Sequence, residues 1–107
     1  MKEIIIEIAE HYKFDAQSRQ CIEEMAELTK ALNKFWRKNL LCGQMNLTSD
    51  LLERLKQTPE YRNVLEEVAD VQIMLWQMES LLDLDINVMI DFKLQRTLER
   101  IDEECSN

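Results

Sequence analysis

The chain has 107 residues, 46% of them apolar, and its 21 acidic side chains against 13 basic ones give a net charge of −8. That is one domain's worth of core, and the acidic balance argues against nucleic-acid polymers as partners, because their phosphates need clustered Lys and Arg. A single Gly and a single Pro all but exclude sandwiches, barrels and glycine-rich phosphate loops, which depend on turn residues, so an all-α protein is expected.

The first helix is expected from about Glu3 to His11. Its apolar run Ile4–Ile6 stops at Glu7, too short for a signal peptide. No stretch reaches the roughly 18 apolar residues of a membrane span. Cys21, Cys42 and Cys105 are an odd, scattered set that suits a reducing compartment better than a disulfide framework. A cytoplasmic protein with no membrane partner is expected. A second helix follows Asp15, read as its N-cap, and runs to about Lys38. Residues 39–47 read as a loop. Asp50-Leu-Leu-Glu53 has the shape of a capping box and opens a short helix to about Gln57. Thr58 caps the next helix, with Pro59 at its first position where the missing N–H costs nothing, and the pattern continues to about Leu82. Asp85 caps a last helix to about Glu104, and Cys105-Ser-Asn reads as a frayed tail. The expected architecture is a single domain over 1–107: an antiparallel bundle of four main helices plus a short inserted helix.

The segments Glu23-Glu-Met-Ala-Glu-Leu28 and Glu66-Glu-Val-Ala-Asp-Val71 echo each other, and their placement on the helices carries more than the match. At about 100° per residue, Cys21, Leu28, Ala31, Leu32 and Phe35 fall within roughly 80° of Glu24. Val64, Val71, Met74, Leu75, Met78 and Leu82 fall within roughly 80° of Glu67. Glu24 and Glu67 thus sit inside apolar stripes, and Glu27 and Asp70 sit at their edges. An isolated buried carboxylate is costly, so it is protonated, paired or metal-bound. Residues at i and i+3 lie about 5–6 Å apart at Cβ, so each pair can offer two carboxylates to one cation. Hard oxygen donors without Cys or His suit Mg²⁺, with Mn²⁺ as a substitute, rather than zinc. Glu23 and Glu66 turn away and read as solvated or supporting. The alternative for each acid is plain exposure, or pairing with Lys30 or Lys34.

On the last helix, Arg96 and Arg100 lie within roughly 60° of Lys93. Such a row can neutralise phosphate oxygens or simply decorate a helix C-terminus. Phe35, Trp36 and Trp76 are aromatics that could stack on a base, although Trp76 points about 180° away from Glu67. His11 reads as structural or exposed. The third helix, with Ile73, Met74, Leu75, Trp76 and Met78, is apolar nearly all round and needs covering on every side. A homo-oligomer, dimer or tetramer, is therefore expected to complete the bundle.

Glu24-Met-Ala-Glu27 and Glu67-Val-Ala-Asp70, followed by Lys93 and Arg96, resemble the signature of the MazG-like all-α nucleoside triphosphate pyrophosphohydrolases, relatives of dimeric dUTPases and dCTP pyrophosphatases. The resemblance covers roughly residues 15–104. It implies Mg²⁺-dependent hydrolysis of a nucleoside triphosphate to the monophosphate and pyrophosphate. Glu24, Glu27, Glu67 and Asp70 would serve as metal ligands and catalytic residues, and Lys93 and Arg96 would bind substrate phosphates. The thirty-nine residues between Glu27 and Glu67 exceed the connection in many members and read as an insertion at 39–58. A di-iron bundle would need ExxH motifs, and the one histidine, His11, has Ile8 three residues before it. A non-catalytic helical interaction module, or an inactive family member, is the competing expectation.

Overall fold

The computed structural model describes residues 1–40 and 47–106, with Leu40 known by its backbone alone. The described residues form helices and turns with no strand: α1 (Lys2–Phe35) runs into a π-helical turn (Trp36–Leu40), and α2 (Ser49–Leu55), α3 (Pro59–Leu81) and α4 (Ile86–Ser106) follow. No helix among the described residues is long and apolar enough to cross a membrane.

The expected break between the first two helices exists, but it is one residue. Lys13 has φ 72° and ψ 171°, a region that only glycine occupies without strain. Helical geometry resumes before Asp15, which is therefore not a cap and instead pairs with Arg19 at 3.3 Å. The cap of α2 is also displaced from its expected place. Thr48, not Asp50, accepts the Leu51 N–H at 3.3 Å, and Asp50 falls in the first turn, where its charge meets the positive helix end. Thr58 caps α3 as expected, accepting from the Tyr61 N–H at 3.2 Å with Pro59 in the first position. Its hydroxyl also donates to the Leu55 carbonyl at 2.7 Å, tying the end of α2 to the start of α3. Asn39 and Leu40 belong to the π-helical turn rather than to a loop. Most of the expected 39–47 loop, with Cys42, lies outside the described residues. Cys105 and Ser106 are helical, with Ser106 Oγ donating to the Asp102 carbonyl at 2.9 Å, so the tail does not fray there.

The packed unit is the antiparallel pair of α1 and α3. Its direction is set by three cross-contacts: Gln17 with Gln77, the Glu24–Glu67 level, and Phe35 edge-on to Tyr61 at 6.4 Å between ring centroids. Ile5, Ala9, Cys21, Ala31, Val71 and Met74 form its core, and Leu55 of α2 is buried as well. Gln17 Nε2 donates to Gln77 Oε1 at 2.7 Å inside this core. No residue of α4 is buried, so the expected four-helix bundle is not closed within one chain.

Candidate metal centre

The centre is one layer of the α1–α3 seam. On α1, Cys21 and Ala31 are buried and Leu28 is half-buried, which fixes the inward stripe. Glu24 lies on that stripe and is half-buried. On α3, buried Val71 and Met74 define the opposing stripe, and Glu67 lies on it, also half-buried. Helical periodicity therefore drives two carboxylates toward each other across the seam. Asp70, one turn on from Glu67, joins them from the rim. Glu24, Glu67 and Asp70 each offer an oxygen within 4.8 Å of the others.

Glu67 is the most constrained of the three. Its Oε2 has essentially no solvent-accessible surface and no hydrogen-bond partner. Burial holds its carboxyl above the usual carboxylate range, and the charges of Asp70, Glu24, Glu27 and Glu66 push it further in the same direction. Glu24 is better supported, since Gln20 Nε2 donates to its Oε1 at 2.8 Å. Glu66 faces outward and pairs with Arg62 at 3.2 Å, and Glu23 is exposed. The alternative partners Lys30 and Lys34 form no ion pair with these acids among the described residues.

The structure brings together three of the four expected acids. Glu27 is exposed and outside the close group, although near enough for its charge to act on Glu67. Lys93 and Arg96 are exposed on α4, and no ion pair among the described residues involves them. Of the aromatics, Phe35 is taken up by Tyr61. Trp76 lines a groove of about 520 Å³ with Ile5, Ile6 and Leu84, away from the acids. Trp36 borders a shallow depression with Lys30 and Arg37. His11 is exposed and packs edge-on to Tyr12.

Two features were not singled out from the sequence. Gln20 stands one turn before Glu24, and the i, i+4 spacing of Gln and an acid is a signal that could have marked it. Gln17 extends the stripe Cys21–Glu24–Leu28 by one turn, and Gln77 extends Val71–Met74. A polar residue at each extension could have flagged the buried pair.

Chemically, three carboxylates converge, and one of them, Glu67, has an orphan buried oxygen. Such a set is unstable as three bare charges and complementary to a hard divalent cation. Compared with known protein families, with curated proteins and with solved structures, the chain has no significant match.

Proposed function

We propose that the chain is a Mg²⁺-dependent nucleoside triphosphate pyrophosphohydrolase, cleaving a (d)NTP to the (d)NMP and pyrophosphate, and that it works as a homo-oligomer. The observation that carries this reading is the convergence of Glu24, Glu67 and Asp70 within 4.8 Å, with a buried Glu67 oxygen that has no hydrogen-bond partner among the described residues. The resemblance of the two acidic motifs and the basic row to the MazG-like pattern points to the same chemistry.

Glu24, Glu67 and Asp70 would hold the cation, which when bound would neutralise triphosphate oxygens and sharpen the acidity of a water. Gln20 would steady the Glu24 carboxylate through its 2.8 Å hydrogen bond. Glu27, exposed at the rim, or a neighbouring acid would accept a proton from the attacking water. Lys93 and Arg96 would clamp phosphate oxygens. Mn²⁺ would substitute for Mg²⁺, since both favour oxygen ligands.

The competing reading, a helical interaction module, is favoured by the long exposed apolar face of α4. The two readings separate in one assay: pyrophosphate release from canonical and modified triphosphates with Mg²⁺ or Mn²⁺. Release from at least one substrate, abolished by Glu67→Gln, is expected. An intact panel, or turnover by Glu67→Gln at the parent rate, overturns the enzymatic reading in favour of the module.

A further inference from the structure

The charge of the chain is unevenly spread. All 21 acidic residues lie outside the stretch 28–49, which holds Lys30, Lys34, Arg37 and Lys38. These four cations stand at the end of α1 and in its π-helical turn. No ion pair among the described residues involves any of them. Lys30 and Arg37 point away from the acidic centre: Asn33, between them on the same face, lies about 180° round α1 from Glu24.

The fold decides which side chains of this stretch face outward. Phe35 stands edge-on to Tyr61 at 6.4 Å between ring centroids. Asn39, one turn on, donates through Nδ2 to Glu60 Oε1 at 3.2 Å. Both contacts pin the end of α1 and the π-helical turn to the start of α3. Trp36 and Arg37, which lie between them in sequence, are left exposed, Trp36 by 42%. π-Helical turns are rare and recur at functional sites, and here the first two residues of the turn are this indole and this guanidinium.

Trp36 and Arg37 join Ala26, Thr29, Lys30 and Asn33 around one depression of about 520 Å³, within the roughly 300–1,000 Å³ of small-molecule sites. Helical spacing sorts the lining into two columns. Ala26, Lys30, Asn33 and Arg37 form one, and Thr29 and Trp36 form the other. Lys30 and Arg37 are about 10 Å apart along the axis, with the Asn33 amide between them. Thr29 Oγ1 donates to the Met25 carbonyl at 3.0 Å, so toward the depression it is an acceptor.

These groups select a ligand. One indole face stacks one planar ring. Two cations flanking an amide bind more than one phosphate group. A nucleic-acid polymer also has rings and phosphates, but it would run off the patch onto a surface that carries all the acidic residues. We propose that this depression is a second nucleotide site, separate from the acidic centre and independent of metal. It takes a single nucleoside di- or triphosphate, with the base on Trp36 and the phosphates on Lys30 and Arg37. It does not depend on the reaction proposed for the acidic centre.

The test uses a chain with Trp76→Phe, which leaves Trp36 as the one tryptophan, and Glu67→Gln, in EDTA. Titration with ATP, GTP, CTP and UTP is expected to quench Trp36 fluorescence saturably for at least one of them. Adding Lys30→Ala/Arg37→Ala should weaken that binding about tenfold or more, and Lys93→Ala/Arg96→Ala should leave it unchanged. All four of these positions are exposed, so the variants keep the fold. Inorganic tripolyphosphate, which cannot stack, should bind about tenfold more weakly than the nucleotide. Calorimetry on the chain with both tryptophans should give the same affinities without the Trp76 change. Absence of binding by all four nucleotides, or unchanged affinity after Lys30→Ala/Arg37→Ala, overturns the proposal. So does equal affinity for tripolyphosphate, since Trp36 would then contribute nothing. Loss of binding with Lys93→Ala/Arg96→Ala overturns it by placing the nucleotide elsewhere. A single strand of about eight nucleotides that binds more tightly than any mononucleotide overturns it in favour of a polymer. None of these outcomes bears on pyrophosphate release, which tests the acidic centre separately.

Discussion

Replacing Gln77 with Leu removes the acceptor of a 2.7 Å hydrogen bond in the middle of the α1–α3 seam. Gln77 is only 1% exposed and Gln17 only 8%, so water cannot readily replace the lost partner. The amide of Gln17 is then stranded, which costs about 1–3 kcal/mol. Gln17→Leu strands Gln77 in the same way, apart from its weak bond to the Met74 sulfur at 3.6 Å. Changing both residues to Leu removes the stranded amide and adds apolar contact, which is near neutral or stabilising. Either single variant should therefore melt about 4–8 °C lower per kcal/mol lost, and the double variant should melt near the parent. The assay is urea and thermal unfolding at one fixed protein concentration, because oligomerisation shifts apparent stability. A coupling of at least about 1 kcal/mol between the two sites is expected. Should the double variant lose the sum of the two single losses, the pair would not be a coupled buried contact and the seam would be packed differently.

Other outcomes follow from particular residues. Lys13→Gly should stabilise the chain by about 1 kcal/mol, because the strain at φ 72° exceeds glycine's entropic cost; Lys13→Val should do the reverse, and equal melting temperatures would show that the break is unstrained. Thr58→Ala should cost about 1 kcal/mol through loss of the α3 cap, read from the same unfolding curves. Glu67 has a proton affinity raised on folding above its ordinary value of 4.5, so the folded chain holds that proton longer than the unfolded one. Its contribution is fully favourable below that ordinary value and declines as pH rises through the raised folded value. In EDTA, melting temperature should fall less from pH 4 to pH 8 for Glu67→Gln than for the parent, and an equal or steeper fall for the variant would contradict the assignment.

Much of this was legible in the sequence because helical periodicity needs no tertiary information. The stripes containing Cys21, Glu24 and Ala31, and Glu67, Val71 and Met74, are inward in the structure, and Pro59 after Thr58 marked the start of α3 correctly. Boundaries set by local competition were less legible. Thr48 and Asp50 are both good caps, and only the backbone path shows that Thr48 accepts the Leu51 N–H. The break at Lys13 has no glycine to announce it. The site was legible where it depends on one helix face and illegible where it depends on relative placement. Nothing in a wheel places Glu27 outside the close group, nor shows that α4 buries none of its residues. The Gln17–Gln77 bond joins residues 60 apart in the chain, a pairing that no local pattern specifies.

The central claim is that Glu24, Glu67 and Asp70 form a cation site, and Mn²⁺ tests it most directly. Crystals soaked in Mn²⁺ should show anomalous density bonded to oxygens of all three residues, and Glu67→Gln crystals treated alike should show none there. Absence of an ion between these carboxylates in the parent, or its retention in Glu67→Gln, would contradict the account.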